Sequence, residues 1–193
     1  PTGAVYSEEV LRACLDFCKR HDLYLISDET YDRLVFEGEH HSPAKWDDEG
    51  RVISVFTASK TYSMTGWRVG YAVATEEIVA AMTKIQEPIV SCVNTVAQHA
   101  TIAALLGPQD CVEQMRAEFQ RRRDFIYSAL SEIPDIVLSK PAGAFYAFPD
   151  LSAYLDGRLQ FNGQPVTSDE QLAMYLLEEV LISAVPGSPF GIP

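Results

Sequence analysis

A lysine and an arginine stand on either side of a glycine in one short run of the sequence, TASKTYSMTGWRVGY, at residues 57–71. Lys60 lies among hydroxylated side chains, and Arg68 follows Gly66. An amine can attack a carbonyl carbon, whereas hydroxyls and a guanidinium are the donors that suit a phosphate group. The run therefore indicates a lysine held beside an anionic group rather than a solvated turn.

A second group of polar residues follows an apolar run earlier in the chain. The run LYLIS, residues 23–27, leads into Asp28, and Tyr31 comes shortly after it. Such a run is typical of a buried strand. Ligands of open α/β sheets bind beyond the carboxyl ends of the strands. We therefore expect a buried carboxylate, a phenol, a lysine and an arginine to converge at one edge of a sheet.

These side chains match the chemical needs of pyridoxal phosphate. Its aldehyde requires an amine such as Lys60, and a carboxylate such as Asp28 would keep its ring nitrogen protonated. Tyr31 would donate to the ring oxygen, and hydroxyls with a guanidinium would bind the phosphate. Each residue also has an ordinary interpretation on its own, as a surface lysine, a turn aspartate or an ion-pair arginine.

The elements that must position these residues alternate between helix and strand. Ser7 can cap the first helix, and Glu8 and Glu9 suit its positive end. The alternation predicts an α/β fold with a largely parallel sheet. The expected elements are a helix over residues 7–22, strands over 23–27, 52–56 and 69–74, and helices over 75–85 and 94–107.

The pattern changes after a long helix that we predict over residues 109–130. Two short strands around a Pro-Gly turn are expected over 136–151, a helix capped by Ser168 over 168–180, and a strand over 181–186. This α+β order predicts a smaller second domain. We therefore assign residues 1–112 to the remainder of a large domain and residues 113–193 to an incomplete small domain.

The net charge of -12 argues against nucleic acids and anionic membrane surfaces as partners, because both require a basic face. No apolar stretch of the sequence is long enough to span a bilayer. We expect four buried free thiols and a cytoplasmic protein. Two of them lie on a predicted apolar stripe of the first helix; the thiols are Cys14, Cys18, Cys92 and Cys111, and the stripe also holds Val10 and Phe17.

Other polar clusters have ordinary interpretations. His40 and His41 lie near acidic residues, but their spacing matches no metal-ligand pattern, so we expect a solvated loop and no metal site. We interpret the run Arg121 to Arg123 as the solvent face of the long helix. His99 is interpreted as a core or interface residue.

Several motifs resemble those of the class I/II aminotransferases, the fold-type I pyridoxal-phosphate enzymes, and they occur in that family's order. SKTYSMTGWRVGY resembles the lysine motif, and ISDETYDRLVF resembles the segment with the aspartate for the ring nitrogen. The opening PTG, the run PAGAFYAFPDL and the run AVPGSPFG resemble three further family segments. The resemblance implies a fold-type I fold, with a mostly parallel sheet in the large domain and a smaller α+β domain.

The resemblance also implies roles for individual residues. Lys60 is similar to the lysine that binds the cofactor and shuttles the α-proton. Asp28 is similar to the partner of the ring nitrogen, and Tyr31 to the donor to the ring oxygen. The phosphate ligands implied are Thr57, Ser59 and Arg68, and Phe145 is similar to an aromatic residue on the substrate side.

Some of the family's residues have no counterpart in the chain. An asparagine before PTG, a glycine- and serine-rich loop, a ring-stacking aromatic and a tyrosine lent by a neighbouring subunit would precede Pro1. The arginine for the substrate carboxylate would follow Pro193. We therefore expect an internal piece of a longer chain, which alone would not transaminate.

The implied function is transfer of an amino group between an amino acid and a 2-oxo acid in a homodimeric enzyme of the aspartate-aminotransferase-like subgroup. Three alternatives remain open at this point. The protein can be another fold-type I enzyme, namely a carbon–sulfur lyase or a cyclising synthase. It can be the ligand-sensing domain of a regulator, or a remnant with only a binding or structural role.

Overall fold

A computed structural model describes residues 1–191, which fall into two units. One unit comprises Ala4–Gln120 and Ala142–Ala144. The other comprises Pro1–Gly3, Arg121–Pro141 and the segment from Phe145 onward. The division falls inside a long helix, and the domain boundary near residue 112 stays a prediction.

Except for a short helix at Ala58–Thr61, which the sequence analysis did not predict, the helices and strands follow the predicted order as far as the long helix. The helices are α1 (Glu8–Arg20), α2 (Ala58–Thr61), α3 (Glu76–Val90), α4 (Thr95–Leu106), α5 (Asp110–Ser131) and α6 (Asp169–Glu179). The strands are β1 (Leu25–Asp28), β2 (Val52–Thr57), β3 (Gly70–Val73), β4 (Gln160–Phe161) and β5 (Gln164–Pro165).

The sheet of the first unit has the order β1-β2-β3 and confirms an α/β fold. β1 and β2 are parallel, with Asp28 opposite Val55, whereas β3 is antiparallel to β2, with Gly70 opposite Thr57. The antiparallel return has a simple cause. With only four residues, α2 rises about 6 Å at 1.5 Å per residue and cannot carry the chain back along β2. The carboxyl ends of β1 and β2 therefore share one edge with the start of β3.

Helix α1 forms where its cap predicts, because Ser7 Oγ accepts a hydrogen bond from Val10 N at 3.4 Å. The predicted apolar stripe is wrong in detail. Leu15 is buried, whereas Phe17 stays 49% exposed. The buried side of α1 is centred on Leu15 and Cys18, and this side packs against β1 and the 3-10 turn at Pro43–Trp46.

A small apolar core lies under the α2 segment. Ala58, Met64, Val69 and Ala97 are all buried and pack together. Half-buried side chains from α4, from the loop before α4 and from the residue after α2 surround them, namely Tyr62, Val93, Ala100 and Ala104. This core fixes the segment that carries Lys60.

The second unit contains a hairpin that the sequence analysis did not identify. Asn162 and Gly163 form the two-residue turn between β4 and β5, with φ of 50° and 74°. Positive φ at both turn residues suits the Asn-Gly pair. The predicted helix is confirmed as α6, where Ser168 Oγ accepts from Gln171 N at 3.2 Å.

Three predicted strands of this region are wrong. Residues 136–151 contribute only isolated bridges, one of which pairs Val137 with Asp150. Pro141 and Pro149 lack the N–H groups that a ladder needs. Residues 181–186 form no strand, since Leu181 has φ of 62° and interrupts an extended path.

Several burial expectations also need correction. Cys18 is buried, but Cys14, Cys92 and Cys111 are exposed. Arg121 and Arg122 are exposed, as expected for a solvent face. Arg123 is buried instead, because it donates to the Pro141 carbonyl and pairs with Asp124. His99 is exposed within this chain.

None of the helices within residues 1–191 combines the length and the apolar character that a membrane crossing requires.

Candidate functional site

Lys60 lies on α2, directly after the carboxyl end of β2. Thr57 begins this short helix, and its Oγ1 accepts a hydrogen bond from Ser59 N at 3.1 Å. Ala58 and Thr61 are buried on either side of Lys60. The ammonium nitrogen of Lys60 lies 6.0 Å from the centre of the Tyr31 ring. The structure therefore brings the predicted lysine and the predicted phenol together.

The turn that carries Tyr31 is tied to α2 by a side-chain contact. Thr61 Oγ1 donates to Asp32 Oδ1 at 3.2 Å, and Thr61 is buried. Asp32 adjoins Tyr31 in the sequence, as Thr61 adjoins Lys60. This hydrogen bond therefore fixes the spacing between the turn after β1 and the helix that carries Lys60.

Asp28 is the last residue of β1, one residue beyond the predicted end of the strand, and it is exposed rather than buried. Strand alternation places it on the same face as Ile26, which is 69% exposed. Its Oδ1 accepts from Thr30 N at 3.1 Å and from the Thr30 hydroxyl. These contacts stabilise the turn after β1 and orient the carboxylate.

Arg68 lies two residues before β3 in a left-handed backbone conformation, with φ of 54° and ψ of 48°. Such a conformation costs a non-glycine residue on the order of 1–2 kcal/mol. Its Nη1 donates to Thr65 O at 2.9 Å, across the 3-10 turn that contains Gly66. Because Gly70 pairs with Thr57, Arg68 lies at the same sheet edge as the start of α2.

Thr57 and Ser59, the two hydroxyl residues predicted to bind a phosphate, lie at the start of α2. Thr57 Oγ1 accepts from Ser59 N and also donates to Val69 O at 3.2 Å. Ser59 is half-buried on α2, one residue before Lys60. Phe145 belongs to the other unit, where it is 40% exposed and its ring centre lies 5.1 Å from that of Tyr146.

A buried polar cluster next to Asp28 was missed by the sequence analysis. Glu29 is 3% exposed, and its two carboxylate oxygens contact two residues of the following loop. His40 Nε2 lies 2.9 Å from Oε2, and Ser42 Oγ donates to Oε1 at 2.8 Å. The expectation of a solvated loop is therefore wrong for His40. A hydroxyl residue within an otherwise apolar strand, Ser54, was the feature of the sequence that could have indicated this cluster.

The Glu29 carboxyl titrates below its usual range. Burial by itself would raise its pKa, but the contacts with His40 and Ser42 and the nearby Ser54 hydroxyl lower the pKa further than burial raises it. Ser54 Oγ is fully buried without reaching full hydrogen-bond geometry to any residue within 1–191. Glu29 therefore remains a carboxylate at neutral pH, and Glu29 N also donates to Val55 O at 2.9 Å. These contacts hold the end of β1, and with it Asp28.

The donor set at this edge suits pyridoxal phosphate. An amine lies near a phenol, and a carboxylate, two hydroxyl residues and a guanidinium come from the segments that end or begin at the same edge. These groups fit the aldehyde, the ring and the phosphate of that cofactor.

The whole chain, residues 1–193, matches the family described as aminotransferase class I and II. An aspartate aminotransferase from Geobacillus stearothermophilus is 41% identical over 198 residues, which cover 100% of this chain and 48% of the relative. An asparagine–oxo-acid transaminase from Streptococcus mutans is 40% identical, with 100% and 48% covered. The chain thus spans about half the length of the curated relatives it matches.

The fold is similar to solved structures of the same family. The aspartate aminotransferase of Rhizobium meliloti superposes with a TM-score of 0.91 at 36% identity, covering 100% of this chain and 49% of that one. Members of the family use pyridoxal phosphate as their cofactor. The chain therefore belongs to the class I and II aminotransferase family.

Proposed function

We propose that the protein containing this chain is a pyridoxal-phosphate-dependent aminotransferase that moves an amino group between an amino acid and a 2-oxo acid. The observation that carries the proposal is the placement of Lys60 at the sheet edge, 6.0 Å from the Tyr31 ring, in a chain of the aminotransferase family. When bound, pyridoxal phosphate supplies an electron sink for the bond that breaks at the substrate α-carbon.

The residues of this chain would divide the work of holding the cofactor. Lys60 would bind its aldehyde, and Asp28 would stabilise positive charge at its ring nitrogen. Tyr31 would donate its phenol hydrogen to the ring oxygen. Arg68 and Ser59 would contact the phosphate, with Thr57 at the start of the same helix.

Lys60 would also move protons. When its amine is not bound to the cofactor, Lys60 would be the base that takes the α-proton of the substrate and returns it at another atom. The rigid placement of α2 matters for this step, because a base must stay within hydrogen-bond reach of the proton it moves.

The assembly and location of the protein are part of the proposal. A homodimer is supported by the apolar residues exposed on α3, including Ile85 at 62% and Ile89 at 70%.

Four free cysteines favour a reducing, cytoplasmic compartment. The net charge of -12 is unfavourable for nucleic-acid or anionic membrane partners. We retain the division into residues 1–112 and 113–193 as part of this proposal.

The substrates remain open within the amino acids and 2-oxo acids. The two curated relatives named above act, by their names, on aspartate and on asparagine. A carbon–sulfur lyase or a cyclising synthase of the same fold would release other products. Product analysis with cysteine-type substrates, run beside a 2-oxo-acid acceptor assay, separates these reactions from transamination.

The decisive experiment concerns Lys60. In the full-length protein, Lys60→Ala should abolish transamination and the visible absorbance of the bound cofactor. Borohydride reduction of the wild-type protein, followed by peptide mapping, should place the pyridoxyl label on Lys60. Lys84→Ala, on the exposed face of α3, is the matched control and should keep both properties. A label on Lys45 or Lys84 would contradict the assignment.

A further inference from the structure

Glu29 is the residue at which β1 ends and the following turn begins. Its N–H donates to Val55 O at 2.9 Å, and its carbonyl accepts from Asp32 N at 3.1 Å. Glu29 directly follows Asp28, whose carboxylate is proposed to meet the ring nitrogen of the cofactor. The backbone position of Glu29 therefore sets both the end of the strand and the start of the turn.

The side chains of Asp28 and Glu29 lie on opposite faces of the sheet. Successive side chains of a strand alternate between the two faces, and Asp28 is exposed whereas Glu29 is 3% exposed. The covered face also holds Ser54, which is buried on β2. Glu29 therefore does not face a cofactor bound beside Asp28, and its effect on that cofactor passes through the backbone.

The hydrogen-bond donors to the Glu29 carboxylate come from the loop before the 3-10 turn at Pro43–Trp46. His40 Nε2 lies 2.9 Å from Oε2, and Ser42 Oγ lies 2.8 Å from Oε1. An ionised carboxylate can only accept, so the hydrogen in each contact belongs to His40 or to Ser42. Pro43 is fully buried, and its 3-10 turn packs against β2. The loop is thus held where it can donate twice to Glu29.

We infer that His40 is a positioning residue for the proposed reaction: its ring N–H holds the Glu29 carboxylate behind the sheet, and Glu29 fixes Asp28 toward the ring nitrogen of the cofactor. The inference rests on the proposed function, because it concerns how the proposed partner of the ring nitrogen is held. Groups that act on a bound molecule must be held to within about 0.5 Å by supporting hydrogen bonds. His40 and Glu29 supply that support without touching the cofactor.

The turn that carries Tyr31 depends less on this cluster. Thr61 Oγ1 binds Asp32 Oδ1 at 3.2 Å and ties the residue after Tyr31 to α2. Loss of His40 should therefore displace Asp28 while Tyr31 keeps its second anchor. The effect on the cofactor should then be confined to the ring nitrogen.

Binding of two cofactors to the full-length, cofactor-free protein tests this inference by absorbance titration. One is pyridoxal phosphate, and the other is its deaza analogue, in which a C–H group replaces the ring nitrogen. His40→Leu removes the donor to Glu29, whereas His40→Gln keeps an N–H at a similar reach. We expect His40→Leu to weaken pyridoxal phosphate about tenfold, the scale of one hydrogen bond to a charged group, and the analogue by less than about twofold. His40→Gln should bind both cofactors within about twofold of wild type.

Equal weakening of both cofactors by His40→Leu would show a general loss of structure and would overturn the inference, as would unchanged binding of pyridoxal phosphate. His41→Leu is the matched control in the same loop, because the His41 ring lies beside Trp46, with 6.1 Å between ring centres. It should leave both dissociation constants unchanged. If His40→Leu does not fold, Ser42→Ala removes the donor to the other carboxylate oxygen, with the same selective loss expected and the same opposing outcomes.

Amide hydrogen exchange of the cofactor-free protein keeps this test separate from the proposed function. The Thr30 amide donates to Asp28 Oδ1 at 3.1 Å, so its exchange reports on the position of that carboxylate. In His40→Leu the Thr30 amide should exchange faster, while the Tyr62 amide, which donates to Ala58 O at 3.2 Å, should exchange as in wild type. Faster exchange at both amides, or at neither, would overturn the inference. If the wild-type protein binds no pyridoxal phosphate, the proposed function fails, whereas the Thr30 amide still decides whether His40 holds Asp28.

Discussion

The position of Lys60 depends on its immediate neighbours in α2. Ala58 is 1% exposed and Thr61 is 5% exposed, so the helix is fixed into the core beneath it. The Lys60 amine therefore projects from a rigid element toward the Tyr31 ring. A reactive side chain requires such a fixed position, because small displacements of the reacting groups lower the reaction rate.

Asp28 supplies the first prediction at the residue scale. Asp28→Asn keeps the size of the side chain and its acceptor for Thr30 N, but removes the charge proposed to hold the ring nitrogen protonated. We expect the variant to bind cofactor and to turn over about a hundredfold more slowly, the scale seen when one electrostatic stabiliser is lost. Cofactor titration and a coupled transaminase assay measure the two effects.

The control for this prediction is Asp16→Asn, an exposed aspartate on α1, which should behave as wild type. Turnover near the wild-type value in Asp28→Asn would show that Asp28 is not the partner of the ring nitrogen.

Glu29 supplies a prediction about stability and pH. Glu29→Gln removes a buried charge that accepts two charge-assisted hydrogen bonds, and we expect a loss of about 1.5–3 kcal/mol in the free energy of unfolding at pH 7. The folded-state pKa of Glu29 lies below its ordinary value of 4.5. The contribution of the carboxylate is therefore fully present above pH 4.5 and is lost as the pH falls through the folded-state pKa.

Urea unfolding of wild type and Glu29→Gln over about pH 3.5–8 measures the difference between their free energies of unfolding, because this range starts about one unit below the ordinary pKa of a glutamate. The difference in the free energy of unfolding between wild type and Glu29→Gln should be constant near neutral pH and should become smaller in acid. Glu39→Gln, in the exposed part of the same loop, is the control. A gap that stays constant down to the lowest pH would contradict the ionised state of Glu29.

At the scale of elements, the site depends on the close approach of β2 and β3. Gly70 pairs with Thr57 at the edge where the predicted cofactor residues lie. A Cβ at Gly70 would stand 2.6 Å from the carbonyl oxygen of Phe56, which is backbone and cannot turn aside. The glycine therefore permits the antiparallel return that places Arg68 beside α2.

Gly70→Ala should lower the free energy of unfolding by about 1–3 kcal/mol, because the added methyl forces the two strands apart. Thermal and urea unfolding measure the loss. Gly66→Ala is the matched control, since a Cβ at Gly66 meets no atom within 4 Å, and it should change the free energy of unfolding by less than about 0.5 kcal/mol. Equal stability of Gly70→Ala and wild type would show that the strands adjust without strain.

At the scale of the whole molecule, the exposed apolar residues of α3 and α4 require explanation. Ile89 is 70% exposed on α3, and Leu106 is 83% exposed at the end of α4. Apolar groups concentrated on neighbouring helices are typical of surfaces that another polypeptide covers. The proposed homodimer would cover such residues at low cost, because the cores of homodimer interfaces are mainly apolar.

We therefore expect light scattering of the full-length protein to give at least twice the mass of one chain. Ile89→Glu should shift the protein toward monomer and lower its activity together with its mass. Phe125→Glu, at a residue that is 72% exposed on α5, is the control and should leave the mass unchanged. A fully active monomeric wild-type protein would contradict the proposed assembly.

The sequence by itself determined the elements whose signals are local. Ser7 and Ser168 cap the helices that follow them, because a cap bonds to amides only a few residues away. The apolar runs before Asp28 and Lys60 contribute to β1 and β2, since a short run of apolar residues is enough to indicate a strand. The motif around Lys60 likewise located the proposed site, with its lysine and tyrosine close together.

Only the tertiary structure decided which side chains meet across the chain. The partners of Glu29 lie 11 and 13 residues away in the sequence, and the bond from Thr57 to Val69 spans 12 residues. No periodic pattern encodes such contacts, because they depend on how a loop folds over its sheet. The same holds for the exposed Asp28 and the buried Arg123, whose surroundings are set by packing rather than by residue type. Local sequence therefore specified the elements and the candidate site residues, whereas packing specified which hydroxyl bonds across the chain and which carboxylate is buried.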